Sequence, residues 1–121
     1  MLLRTDGLTK TFKTTRAVAD LTLAVGRGKL VVLLGPAGAG KTTTLRMLAG
    51  LDAPDRGRVL LDGVDVTPLP PHRRDVAMVF DNLALYPNKT GFENIANPLR
   101  VARLPRGEVE RRVRRVADLL R

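Results

Sequence analysis

Cysteine is absent from the 121 residues, which excludes disulfide staples, thiolate nucleophiles and zinc–sulfur sites and fits a reducing compartment. Tryptophan is absent too, and aromatic residues make up only 3% of the chain. None follows Phe92, so the arginine-rich C-terminal stretch lacks the stacking platform used to bind single-stranded nucleic acid. No apolar run approaches the roughly 20 residues needed to span a bilayer. Arg4 and Asp6 interrupt anything resembling a secretory leader. Acidic residues are scarce beside basic ones, 12 against 21, leaving a net charge of +9. What remains is the composition expected of an ordinary soluble domain, 44% apolar and 27% charged. It is long enough for one core and too short for two comfortable ones.

Glycine, by contrast, is concentrated where it has a use. The segment Gly35-Pro36-Ala37-Gly38-Ala39-Gly40-Lys41-Thr42 fits the pattern G-x-x-x-x-G-K-[ST] without a mismatch. Glycines let successive backbone N–H groups turn inward around a phosphate. A lysine at this spacing reaches the outer phosphates, and the hydroxyl after it suits magnesium. The context agrees. Residues 30–34 are five consecutive apolar side chains, the pattern of a short strand buried on both faces. After the loop, Leu45, Leu48 and Ala49 fall on one side of a helix, and Gly50 stands where a left-handed terminator belongs. The helix would aim the positive end of its dipole at the same phosphate.

Elsewhere, alternation predicts strands over 8–12 and 19–25, joined by the polar link 13–16. Residues 59–61 and 64–66 flank Asp62-Gly63, a favoured hairpin turn. Pro68, Pro70 and Pro71 predict a stiff extended connection, and residues 76–80 a second buried strand. Thr90 and Glu93 form a capping box before a helix that Pro98 should kink or end. Val109, Val113, Val116, Ala117 and Leu120 line one face of a final helix, supported by Glu108–Arg112 and Glu110–Arg114 pairs. Residues 100–121 hold 8 basic and 3 acidic groups. That spacing predicts a solvated helix face rather than a nucleic-acid site.

Taken together, these segments resemble the N-terminal part of an ATP-binding-cassette transporter ATPase, most closely the sugar-importer type. The resemblance rests on Leu8-Thr9-Lys10-Thr11-Phe12, on Leu33 to Thr43, and on Arg46-Met47-Leu48-Ala49-Gly50-Leu51. It continues in Val76-Ala77-Met78-Val79-Phe80, Ala84-Leu85-Tyr86-Pro87 and Glu93-Asn94-Ile95-Ala96. It implies an α/β fold: a partial P-loop (RecA-like) core, an N-terminal antiparallel β part and the start of a helical subdomain. The expected division puts 1–29 and 57–68 in the β part, 30–56 and 69–81 in the core, and 82–121 in the helical part.

The resemblance further implies ATP and Mg²⁺ as ligands. Phe12 would stack on adenine; Gly35, Pro36, Ala37, Gly38, Ala39, Gly40, Lys41, Thr42 and Thr43 would hold the phosphates, with Thr42 on the metal. Asp81 stands where the family carries a glutamine that contacts metal and attacking water. Lys41 and Asp81 are thus the expected catalytic residues and Thr42 and Asp81 the expected metal ligands. The implied partners are transmembrane permease subunits, a second ATPase subunit and, indirectly, a solute-binding protein. The implied place is the cytoplasmic face of the plasma membrane, and the implied solute a sugar or polyol. The signature segment, the second acidic strand with its catalytic glutamate and the later histidine do not occur in these 121 residues; His72, in the proline stretch, does not match the last. An alternative expectation follows, a chain that binds ATP–Mg²⁺ without turnover. Unpaired strand edges and exposed apolar surface are also expected.

Overall fold

The computed structural model describes residues 2–82 and 84–120. The chain divides into two compact units, Met1–Met78 and Val79–Arg121, each with its own apolar core.

The first unit is built on a four-stranded antiparallel sheet: β1 (Leu3–Phe12), β2 (Thr15–Val25), β3 (Arg56–Leu61) and β4 (Val64–Asp65), in the order β2-β1-β3-β4. The expected Asp62-Gly63 turn forms, with φ of 46° and 82° at its two residues, as a mirror-image hairpin turn demands. Both strands of the first hairpin are longer than alternation predicts. The reason is an irregularity: the register shifts between Thr5 and Leu8, beside Gly7 (φ 59°) and Asp20 (φ 51°). Such a bulge moves side chains to the other face and breaks a period-2 pattern. Threonines satisfy the interrupted ladder. The fully buried Thr5 hydroxyl donates to Leu21 O (2.9 Å) and accepts from Leu23 N (2.9 Å), while Thr22 and Thr9 hydroxyls accept from Gly7 N and Asp20 N (both 3.1 Å).

Helix α1 (Lys41–Ala49) places Met47 against Leu8, Val18 and Val59 of the sheet, with Val66 completing the core. Each fully buried side chain of this size contributes about 1.5–3 kcal/mol. Gly50, at φ 80°, ends the helix as expected, its N–H bonding back to Met47 O at 3.2 Å. The proline stretch is not wholly extended: Pro71–Arg73 closes a single 3₁₀ turn. Proline is tolerated there because the first residues of a helical turn need no N–H donor.

Two strand expectations are not met. Residues 30–34 and 76–80 run as irregular chain and pair with no strand among the described residues. A strand buried on both faces requires hydrogen-bonding neighbours on its edges, and the four strands that do pair lie elsewhere. Leu30 and Leu34 are accordingly 91% and 89% exposed.

In the second unit, α2 (Gly91–Val101) packs on α3 (Arg106–Leu119) through Ala96, Val109 and Val113. The capping box is present: Glu93 N donates to Thr90 Oγ1 (3.2 Å) and Thr90 N to Glu93 Oε2 (2.8 Å). Pro98 does not end α2, which runs three residues further; in the last turn a proline removes only one internal hydrogen bond. Val116 and Leu120 stay exposed, because the apolar residues of α2 meet only the first half of α3. Glu108 pairs with Arg112 as expected (2.6 Å) and also with Arg111 (2.7 Å). Glu110 pairs with Arg106 (3.1 Å), four residues before it rather than four after.

Candidate phosphate-binding site

Gly38 and Gly40 both lie in the left-handed region, at φ 81° and 82°. For Gly38 that is a matter of backbone freedom alone, since a Cβ there would meet nothing within 4 Å. Gly40 carries a second constraint: a Cβ would stand 2.1 Å from the carbonyl oxygen of Ala17 in β2. The loop therefore lies directly against the sheet. Gly40 O accepts the first helical hydrogen bond of α1, from Thr44 N at 2.8 Å.

Helix α1 begins without a side-chain cap and without an acidic residue in its first turn. Among the described residues no acceptor takes the N–H groups of Lys41, Thr42 or Thr43. These donors, and the dipole behind them, present positive potential at a helix N-terminus. Lys41 folds back over the loop, its Nζ donating to Gly35 O and Pro36 O, both at 2.7 Å. A cavity of about 350 Å³ is lined by Ala17, Ala37, Gly38, Ala39, Gly40, Lys41, Thr42 and Thr43. Seven of the nine expected loop residues thus line it, Lys41 among them, and Gly35 and Pro36 hold the Lys41 ammonium. Ala17 was not foreseen. Its place follows from how β2 crosses the loop, a long-range contact with no local signature.

Phe12, at the end of β1, is 47% exposed, with Lys10 Nζ 5.5 Å from its ring centre. Its backbone neighbourhood is pinned by Asp55, whose Oδ2 accepts from Thr11 N (2.7 Å) and whose Oδ1 accepts from Lys10 Nζ (3.1 Å). The Thr11 N–H first, and the Lys10 ammonium second, hold the Asp55 carboxyl below its usual range. At the other end of α1, Arg46 grips Asp52 through two bonds of 2.8 and 3.0 Å, which lower the Asp52 pKa and raise that of Arg46.

Asp81 belongs to the second unit, where its Oδ1 accepts from Asn82 N at 3.1 Å. No cluster of three or more His, Cys, Asp or Glu that could hold a metal ion occurs among the described residues. The loop after Asp81 is organised by a residue the motif reading passed over. Asn94 on α2 donates from Nδ2 to Tyr86 O, Lys89 O and Thr90 O (3.2, 3.1 and 3.0 Å) and accepts at Oδ1 from Tyr86 N (2.8 Å). Its position in Glu93-Asn94-Ile95 was the available signal.

The phosphate-type loop and its helix fall within residues 18–121, which match the family model described as ABC transporter. The chain belongs to the ABC transporter family. Among its relatives, a spermidine/putrescine import ATP-binding protein of Acidothermus cellulolyticus is 56% identical over 104 residues, 86% of this chain and 27% of that protein. A trehalose/maltose import ATP-binding protein of Thermococcus litoralis is 48% identical over 117 residues, 92% of this chain and 32% of that protein. The chain thus spans about a third or less of the length of these ABC import proteins. Among solved structures, a dimeric ATP-binding cassette in a post-hydrolysis state bound to ADP and Pi superimposes with a TM-score of 0.80 at 27% identity. It covers 93% of this chain and 54% of its own. The fold is that of a partial ABC ATPase, as expected. No helix among the described residues is long and apolar enough to cross a membrane.

Proposed function

We propose that this chain is the nucleotide-binding part of an ABC importer's ATP-binding subunit, which couples ATP binding and hydrolysis to solute uptake. The observation that carries the reading is the set of unclaimed N–H groups at the start of α1, facing a cavity closed by Gly38, Gly40 and Lys41. In this reading the Lys41 ammonium leaves the Gly35 and Pro36 carbonyls for the outer phosphates, and Phe12 receives the adenine. Thr42 would hold Mg²⁺, which offsets phosphate charge. Backbone N–H groups and Lys41 would stabilise the charge that develops on the terminal phosphoryl oxygens. Asp81 brings a shorter, anionic side chain where the family has an uncharged amide, which favours a second reading in which ATP–Mg²⁺ is bound without turnover.

Permease subunits, a second ATPase subunit and an indirect solute-binding protein are the proposed partners, at the cytoplasmic face of the membrane. The solute is proposed only by class. The Thermococcus relative, named for trehalose/maltose import, supports the sugar or polyol expectation, whereas the Acidothermus relative, named for spermidine/putrescine import, supports a polyamine.

Calorimetric titration with MgATP, MgADP and pyrophosphate tests the site. Lys41→Ala is expected to weaken all three on the order of a hundredfold, the value of a hydrogen-bonded charge. Phe12→Ala is expected to weaken the nucleotides about tenfold and to spare pyrophosphate, because only a base can stack. No binding by the unaltered chain would refute the reading. Phosphate release above background would exclude the second one.

A further inference from the structure

Among the described residues Arg74 is the one buried arginine, 4% exposed, and no carboxylate forms a salt bridge with it. Its guanidinium is satisfied by backbone alone. Nη1 donates to Met47 O (2.8 Å) and Leu48 O (3.2 Å), Nε to Leu69 O (2.8 Å) and Nη2 to Thr67 O (2.9 Å). Two of these carbonyls belong to the last turn of α1, where helix carbonyls run short of internal partners; Met47 O also accepts from Gly50 N. The other two belong to the link that follows β4. Burying a charge is costly unless it is compensated: burial lowers the Arg74 pKa, and the Asp65 carboxylate offsets part of that. Gly50 makes room for it: a Cβ there would stand 2.5 Å from Arg74 Nε.

We propose that Arg74 is a positioning residue for the phosphate loop. It clamps the C-terminal end of the helix whose first turn forms the loop's donor wall, and so fixes the direction in which the Lys41, Thr42 and Thr43 N–H groups point. The inference rests on the nucleotide reading of that loop. A nine-residue helix is about 13 Å long, so a small tilt at its far end displaces donors at the near end relative to β2. The sheet side of the loop, where Gly40 touches Ala17, does not move with it. The positive charge also lies at the negative end of the helix dipole, which reinforces the field at the phosphate end. Lysine cannot replace it. A single ammonium has three donors from one point, whereas a planar fork reaches four carbonyls on two segments.

The test compares Arg74→Lys and Arg74→Ala with Leu61→Ala, which truncates a half-buried side chain at the end of β3 packed against the core. Melting curves and MgADP and pyrophosphate affinities are measured below every melting point. Arg74→Lys is expected to weaken both ligands about tenfold, the value of one misaligned charge-assisted hydrogen bond. Leu61→Ala is expected to lower the melting temperature and leave both affinities alone. Ethylguanidinium at millimolar concentration should recover affinity in Arg74→Ala and do nothing to the unaltered protein. If Arg74→Lys cannot be folded, the rescue experiment on Arg74→Ala decides. Unaltered protein that binds both ligands, with a lysine variant of equal affinity or an alanine variant that is not rescued, overturns the inference alone. Unaltered protein that binds neither ligand overturns the reading of the site and the inference with it.

Discussion

Gly38→Ala and Gly40→Ala are the same chemical change at nearly the same φ, 81° and 82°, and the structure gives them different costs. A left-handed conformation charges alanine about 1–2 kcal/mol at either position. At Gly38 nothing lies within 4 Å of the new methyl group, so that strain is the whole effect. At Gly40 the methyl would sit 2.1 Å from Ala17 O and 3.2 Å from Val18 Cγ2. An unstrained carbon–oxygen contact needs about 3.3 Å, so loop and sheet must separate by roughly an ångström. Overpacking of that kind costs about 1–3 kcal/mol more. Ala17 and Val18 cannot retreat freely, because Val18 is buried and paired with Lys10 of β1. The expected destabilisation is therefore about 2–5 kcal/mol for Gly40→Ala and about 1–2 kcal/mol for Gly38→Ala. Thermal denaturation reads it, at about 4–8 °C per kcal/mol for a unit of this size. MgADP titration reads how much appears as displaced donors. Equal melting temperatures for the two variants would refute the contact with Ala17 as the reason for glycine at 40.

Asn94→Ala removes an amide whose two N–H groups and one oxygen serve four backbone atoms of the loop Tyr86 to Thr90, and is expected to destabilise the second unit by about 2–4 kcal/mol, read by melting. Asn94→Asp keeps the acceptor for Tyr86 N but faces a carboxylate toward three carbonyls, and should be at least as damaging. Acid should act through the carboxylates held low in the fold. Arg111 first and Arg112 second draw Glu108 down to about 2, and Thr90's N–H and hydroxyl lower Glu93. Because these folded-state values lie below the unfolded ones, the stabilisation is present above about pH 4.5 and is lost as pH falls toward 2. Helical circular dichroism should fall over that interval, and Glu108→Gln should remove part of the pH dependence while changing stability at pH 7 only slightly, since the pair is exposed.

Local chemistry was readable in the sequence wherever a residue type is forced by the conformation at its own position. The Asp62-Gly63 turn, the Gly50 terminator and the Thr90–Glu93 box are of this kind, as is the spacing from Gly35 to Thr42. Features that depend on distant chain were not readable. The bulge at Gly7 and Asp20 hides half of the first hairpin from period-2 analysis. Ala17 joins the site only because β2 passes beneath Gly40. Arg74 looks like one of many surface arginines until four carbonyls converge on it. The runs at 30–34 and 76–80 show the converse: their apolar character states a preference for a sheet interior, and pairing strands alone can realise it.

The antiparallel sheet has a consequence for how the protein is made. Every backbone pairing of its four strands lies between Leu3 and Asp65, and Arg74 closes the core soon after. Chains lengthen at about 5–20 residues per second and fold by units from the N-terminus, while a hairpin needs only microseconds. The sheet, with α1 across it, can therefore be complete while the helices of the second unit are still being synthesised. During that interval residues 30–34, which pair with no described strand and leave Leu30, Val32 and Leu34 exposed, would stand as an apolar segment open to a holdase chaperone.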